Sequence, residues 1–165
     1  MTTGAGAPTG DHRLARSIEG TLQGLATQAR DAVGKAHSAG ITIVEAGEVT
    51  GRCCTDRVAD DLDRAQWEAD EGPCIDALRF LQIFNVACVA DALEWHAFRD
   101  AAAGNGIASS LAVPLFEGGR ALGTLTLYSR VANGFDDCEQ LAMDWASRSA
   151  VALVRAEFEG KLERP

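Results

Sequence analysis

Residues 107–130 read IASSLAVPLFEGGRALGTLTLYSR, and this stretch decides the fold. Its first arm, Ser109 to Phe116, is a run of apolar and small residues. The second, Arg120 to Tyr128, alternates: Leu125 and Leu127 point one way, Thr124 and Thr126 the other, the period of two that a strand imposes. Between the arms lies Glu117-Gly118-Gly119-Arg120. Two glycines accept the positive φ of a two-residue hairpin turn, which also sets Glu117 and Arg120 opposite each other as a cross-strand pair of opposite charge. Pro114 cannot donate a ladder hydrogen bond, so a local break in pairing is expected there.

Working outward, Asp91 and Glu94 carry the spacing of a capping box ahead of a helix with Trp95, Phe98, Ala101 and Ala102, which stops at Gly104-Asn105-Gly106. Ile83 to Val89 reads as a strand. Pro73 suits the first position of a short helix, PCIDALRFL, carrying Cys74, Ile75, Leu78 and Leu81. Arg57 to Glu68 is polar with helical spacing at Leu62, Ala65 and Ala69. Ile41 to Glu45 and Glu48 to Asp56 form a second hairpin about Ala46-Gly47. From Asp11 a stripe of Ile18, Leu22, Leu25, Ala29, Ala32 and Ala36 predicts a long helix ending near Ser38-Ala39-Gly40. On the other side, Asp136 and Glu139 give another capping-box pattern, and a helix from about Asp137 to Gly160 is apolar nearly all round, so burial on more than one side is expected. Residues 1–10 read as a disordered leader and 11–165 as one domain.

The formal net charge is -9, so no broad basic face is available to neutralise phosphates, and direct nucleic-acid binding is not expected. No apolar run approaches the roughly 18 residues that cross a bilayer, and the N-terminus lacks the layout of a signal peptide. A cytoplasmic protein with no membrane contact is expected. Five cysteines, Cys53, Cys54, Cys74, Cys88 and Cys138, are an odd number without zinc spacing, so reduced thiols are expected rather than a disulfide framework or a metal site. Asp60-Asp61-x-Asp63 and Asp136-Asp137 read as solvated helix starts.

Gly72-Pro73-Cys74-Ile75-Asp76-Ala77-Leu78, Val89-Ala90-Asp91, Ala112-Val113-Pro114-Leu115, the run Leu122 to Tyr128 and Phe135-Asp136-Asp137 together resemble the successive landmarks of a GAF domain, over roughly Ile18 to Phe158. The variant looks most like the actinobacterial GAF modules that often precede an ANTAR RNA-binding domain; this sequence stops at Pro165, before such a domain would begin. The resemblance implies an α+β fold with a central antiparallel sheet of about five or six strands. It places the N- and C-terminal helices on one face, for dimerisation, and short helices and loops over a small-molecule pocket on the other. Ligand contacts would fall at Cys53, Trp67, Cys74, Leu78, Trp95 and Phe98, with Leu125 and Leu127 as floor. The homodimer interface would use Ile18, Leu22, Leu25, Ala29, Trp145 and Leu153, and a signalling protein would read the helices.

Function then divides into three expectations. The first is a non-enzymatic sensor or regulatory module in signal transduction, without cofactor or metal. The second is a thiol switch or a methionine sulfoxide reductase-like enzyme using Cys74, which falls where that branch of the family has a cysteine and near a predicted helix start. Aligned on Val113-Pro114, however, the branch's attacking cysteine is replaced by Ala103. The histidine that haem-binding relatives use is replaced by Ala108 in the same alignment, and His96 stands alone on the preceding helix. The third is a ligand-free interaction scaffold whose front is filled by Trp67, Trp95 and Phe98.

Overall fold

A computed structural model of the chain describes residues 10–162. The expected leader lies outside the described residues except for Gly10, which already belongs to the first helix. In chain order the elements are α1 (Gly10–Ala32), β1 (Ser38–Glu45), β2 (Glu48–Cys54), α2 (Arg57–Ala69), α3 (Pro73–Phe80), β3 (Phe84–Val86), α4 (His96–Gly104), β4 (Ser109–Glu117), β5 (Arg120–Ser129) and α5 (Glu139–Leu162), with a single 3₁₀ turn at Val89–Asp91.

The hairpin at the centre forms as its glycines require. Gly118 and Gly119 have φ of 56° and 76°, and β4 pairs with β5 from Ser109↔Ser129 to Glu117↔Arg120. Glu117 and Arg120 are cross-strand neighbours, but the Arg120 guanidinium turns to Glu157 on α5, 2.9 Å away. Both side chains of that pair are about half exposed, so Arg120→Ala is expected to leave the denaturant midpoint nearly unchanged. Ala46 and Gly47, with φ of 51° and 83°, close the second hairpin in the same way. The five strands make one antiparallel sheet in the order β2-β1-β5-β4-β3. Pro114 stays in register opposite Thr124; β3 reaches only as far as Ala112, so the missing N–H lies beyond the neighbour that would use it. The irregularity falls one step later, between Leu115 and Phe116.

The sheet's two faces differ in chemistry. On one, Ile41, Leu111, Val113, Leu115, Leu125 and Leu127 form a continuous core with Leu22, Ala26, Ala29 and Val33 of the α1 side and Ala142, Ala146, Ala150 and Leu153 of α5. Small residues on both helices let them lie together against the leucines. The α1 stripe ends earlier than predicted: Ala32 is exposed, Val33 is buried, and Gly34 turns left-handed (φ 53°) against Gly134 and Phe135. Ser38-Ala39-Gly40 is therefore not a helix end but the start of β1, paired with Tyr128, Leu127 and Thr126. In the single chain α5 buries one face only, leaving Leu141, Met143 and Val151 exposed.

Two expected capping boxes do not form. Asp91 lies in the 3₁₀ turn, and α4 starts at His96 with no side-chain cap from its own N-terminal neighbour; its Ala97 N–H instead donates to the Glu71 carboxylate at 2.6 Å, across 26 residues. At the other site α5 starts only at Glu139, whose carboxylate accepts from Asn85 at 2.7 Å. In both cases a tertiary partner displaces the local one.

Candidate functional site

The second face of the sheet is polar and covered by α2 and α3. Ser38, Thr42, Ser110, Thr124, Thr126 and Tyr128 are all at most 2% exposed. The register ties them together: Thr42 is opposite Thr124, Gly40 and Ala112 flank Thr126, and Ser38 and Ser110 flank Tyr128. Hydroxyls on β1, β4 and β5 thus make one lattice across three strands.

Over this lattice α2 presents Ala59, Leu62, Asp63 and Gln66 as its buried face. That face is offset from the predicted one: Ala69 is exposed, and Asp63, expected in solvent, is 1% exposed. The Asp56 carboxylate caps the helix by accepting from Ala59 N–H at 3.0 Å, which sets its rotation. The Asp63 carboxyl accepts a hydrogen bond from the Tyr128 hydroxyl. Tyr128 in turn accepts from Gln66 Nε2 at 3.0 Å, while Gln66 Oε1 takes the Cys74 N–H at 2.9 Å. One chain of hydrogen bonds therefore runs from a buried acid through the sheet to the first turn of α3, whose initiating Pro73 has no N–H to satisfy.

Gly72 makes the junction feasible, since a Cβ there would run into the Gln66 side chain. Gln66→Ala leaves the Tyr128 hydroxyl and the Cys74 N–H without this partner, and a loss of about 2–4 kcal/mol in urea unfolding is expected.

Burial pushes the Asp63 carboxyl up to about 7, against the opposing influence of the Tyr128 bond and the charge of Arg52. Burial pushes the Cys74 thiol far above its usual range, and the nearby Asp63 adds to this; Thr124, Thr126 and Trp67 beside the sulfur counteract only part of it. Cys53 is raised to about 11 by burial and by Glu19, and Cys54 is raised further by burial and by Asp63. Desolvation opposes thiolate formation at all three.

Five buried side-chain atoms have no oxygen or nitrogen hydrogen-bond partner among the described residues: Thr42 Oγ1, Ser110 Oγ, Thr124 Oγ1, Thr126 Oγ1 and Trp67 Nε1, the last three having only the Cys74 sulfur beside them. Four belong to the hydroxyl lattice, and the fifth belongs to α2 above it.

Of the residues expected to contact a ligand, Trp67 and Cys74 lie in this layer. Trp95 and Phe98 pack beside it, in a cluster with Ala59, Leu62 and Tyr128, and the Trp95 indole donates to Asp76 at 2.9 Å. Leu78 is half-buried on α3. Three residues are on the wrong side: Cys53, Leu125 and Leu127 belong to the helical core, and the Cys53 thiol approaches the Glu19 carbonyl of α1. The floor is made by their neighbours Thr124, Thr126 and Tyr128, with Cys54 reaching Asp63. Of the expected dimer residues, Leu22, Ala29 and Leu153 are buried within one chain, and Ile18, Leu25 and Trp145 are half-buried against that core. Sequence reasoning missed Thr42, Asp63, Gln66, Ser110 and Tyr128. The usable signal was the strict alternation of Thr124 and Thr126 with leucines, which marks a second face that is buried and polar.

Two open grooves lie elsewhere. One of about 350 Å³ runs between Leu81, Pro114, Phe116 and Met143, and one of about 410 Å³ between Ile18 and Leu25 of α1 and Val151 and Arg155 of α5. Among the described residues no group of three or more His, Cys, Asp or Glu is placed to hold a metal, and His96 is exposed beside Arg99. No described helix is long and apolar enough to cross a membrane.

A family model described as GAF domain matches residues 15–143. No curated protein matches the chain. Among solved structures, a type II free methionine-R-sulfoxide reductase from Thermoplasma acidophilum is similar at 16% identity with a TM-score of 0.69, over 86% of this chain and 95% of that one. The GAF domain region of a putative membrane protein from Geobacter sulfurreducens superimposes at 15% identity and a TM-score of 0.64, over 86% and 96% of the two chains. A domain of a putative two-component sensor histidine kinase from Sinorhizobium meliloti does so at 19% identity and 0.60, over 95% and 100%. At these identities the likeness concerns the fold.

Proposed function

The chain belongs to the GAF domain family, a sensor and regulatory fold, and on that premise we propose that it is a non-enzymatic small-molecule sensor module acting in the cytoplasm. Ligand contacts on the hydroxyl lattice bias the packing of α2 and α3 over the sheet, and the terminal helices behind it transmit the change to a homodimer partner or a signalling protein.

One observation carries this reading: the hydroxyls of Thr42, Ser110, Thr124 and Thr126 and the Trp67 N–H are gathered on one buried face without an oxygen or nitrogen partner, and three of them have only the weakly accepting Cys74 sulfur beside them. Each unpartnered group costs about 1–3 kcal/mol, and valine in place of threonine removes that cost at the same volume. A patch of such groups is unfavourable for a scaffold and useful for a site that exchanges these partners with a ligand.

The test follows from the same cost. Thr124→Val and Thr126→Val are each expected to stabilise the free protein by about 1 kcal/mol in urea unfolding, and to abolish the thermal shift that a ligand from a metabolite collection produces in the parent. Variants that are destabilised, or that keep the full shift, would remove the sensor reading.

The non-enzymatic part is supported by the thiols. Cys74 is fully buried and its thiol is held protonated by its surroundings, and Cys53 faces the other side of the sheet. Mass spectrometry after mild peroxide is expected to find Cys74 reduced in the folded protein. Oxidation of Cys74 ahead of Cys88 and Cys138, or sulfoxide reduction that disappears in Cys74→Ser, would replace the sensor with a thiol enzyme or switch.

A further inference from the structure

We infer that the hydroxyl lattice takes a small organic cation, a primary ammonium seated on the Asp63 carboxylate with its remaining polar groups on the threonine and serine hydroxyls. This rests on the sensor reading and names its ligand class.

Charge is the first consideration. Asp63 is the one acidic or basic side chain among the buried residues described. The neighbouring cations pair with exposed or half-buried carboxylates, Arg57 and Arg64 with Asp61 and Arg79 with Asp70 and Asp76; Arg52 pairs with Asp60 at 3.7 Å and reaches Asp63 only through its charge, without an ion pair. A phosphate or carboxylate on this face would meet a carboxyl and find no buried counter-charge, whereas an ammonium would supply what Asp63 lacks.

Geometry is the second. Asp63 Oδ1 accepts from Tyr128, whereas Oδ2 has the Cys54 thiol at 3.8 Å as its hydrogen-bond partner and lies against the backbone of Gly40, where a Cβ would strike it. Gly40 is paired with Thr126, and Thr42 two residues on is paired with Thr124, so the carboxyl adjoins the row of unpartnered hydroxyls. Hydroxyls both donate and accept, whereas the Trp67 indole only donates. The ligand therefore carries an acceptor oxygen or nitrogen as well as its amine. Cys74 now stands among Thr124, Thr126 and Trp67, so α3 must shift for the ligand to enter; the Gln66 side chain that holds the start of α3 is the joint that yields.

Binding is linked to a proton, because the ammonium needs Asp63 ionised. The groups facing it are Arg52 and Cys54 of β2, Asp60 of α2, Tyr128 of β5 and Cys74 of α3. Burial raises both thiols and the phenol far above neutrality, so of these the carboxyl pushed up to about 7 is the group that changes charge there.

Three probes of similar size separate the ligand classes: ethanolamine, ethylene glycol and glycolate, each at the same millimolar concentration and ionic strength. In thermal unfolding of the full chain, ethanolamine is expected to raise Tm, with a shift several-fold larger at about pH 8 than at about pH 6. The other two are expected to give none. Asp63→Asn should lose the ethanolamine shift, and Trp67→Phe, which removes the indole N–H together with part of the ring, should reduce it. An ethanolamine shift that persists in Asp63→Asn, or that is larger at the lower pH, overturns the inference. So does the absence of any ethanolamine shift. A glycolate or ethylene glycol shift that Thr124→Val abolishes overturns the cation and keeps the sensor, which the Thr124→Val and Cys74 experiments test separately.

Discussion

Gly123→Ala is expected to cost about 3–5 kcal/mol in urea unfolding, the heaviest loss from a single added methyl group. Gly123 sits in the interior of β5 with φ of 159°, opposite Ile43 on one neighbour and Leu115 on the other. A Cβ there would strike the Thr42 carbonyl oxygen, and its next neighbours are also backbone of β1, which cannot rotate aside as a side chain can. To accept alanine β1 and β5 would have to separate at the Ile43↔Gly123 pair. Thr42 and Thr124 would move with them, so any ligand shift should disappear together with the stability. A Gly123→Ala chain that unfolds at the parent's denaturant midpoint would mean that β1 and β5 do not meet this closely. As a contrast, Gly24→Ala on α1, where an added Cβ meets nothing within 4 Å, is expected to be neutral or to gain up to ~1 kcal/mol from helix propensity.

Asp63→Asn is expected to change the pH dependence of stability more than any other substitution, and in an unusual direction. Most carboxylates are stabilised in the folded state and lose that stabilisation in acid. Asp63 is the reverse: burial raises its folded pKa from the ordinary 3.8 to about 7. Below about 4 the carboxyl is protonated in both states and carries no penalty. Between about 4 and 7 the unfolded chain releases the proton while the folded chain holds it, so the folded state binds more protons and its stability falls as pH rises. Above about 7 the penalty is complete and constant. Asparagine accepts from the Tyr128 hydroxyl in the same way but never ionises. The stability difference between Asp63→Asn and the parent should therefore grow with pH by up to ~1.4 kcal/mol per pH unit across that window, then level off. Denaturant titrations across the range measure this difference whatever the constant offset of the substitution. A difference that is flat, or that grows toward acid, would mean that Asp63 is solvated or paired.

Much of the fold was legible because its signals are local. The glycines at 118 and 119 define a two-residue turn without reference to anything outside it, and once that turn is set Glu117↔Arg120 and Phe116↔Ala121 follow; the irregularity between Leu115 and Phe116 then shifts every later pair by one residue. Pro73 opens α3 by the same local logic. The failures are where a distant group takes over from a local one. Asp91 and Asp136 have the residue spacing of caps, but Glu71 reaches α4 and Asn85 engages Glu139 from 26 and 54 residues away. The candidate site was legible only in outline. Trp67 and Cys74 were placed correctly over the sheet, whereas the assignment of Cys53, Leu125 and Leu127 to the same side inverted the strand faces. A period of two shows that two faces exist and does not say which one the terminal helices cover. Apolar residues suggested a pocket floor, but on this chain the leucines serve the helical core and the threonines serve the front.

The sequence by itself determined that β4 and β5 form an antiparallel hairpin at the centre of an α+β domain, that helices bracket it, and that no described segment is built to cross a bilayer. These depend on residue types within a few positions of one another. Only the tertiary structure decided that Asp63 is enclosed, that Gln66 joins Tyr128 to the start of α3, and that the hydroxyls from three strands share one buried face. The physical reason is that the state of a polar side chain depends on how much water its neighbours exclude, and those neighbours come from segments far apart in the chain.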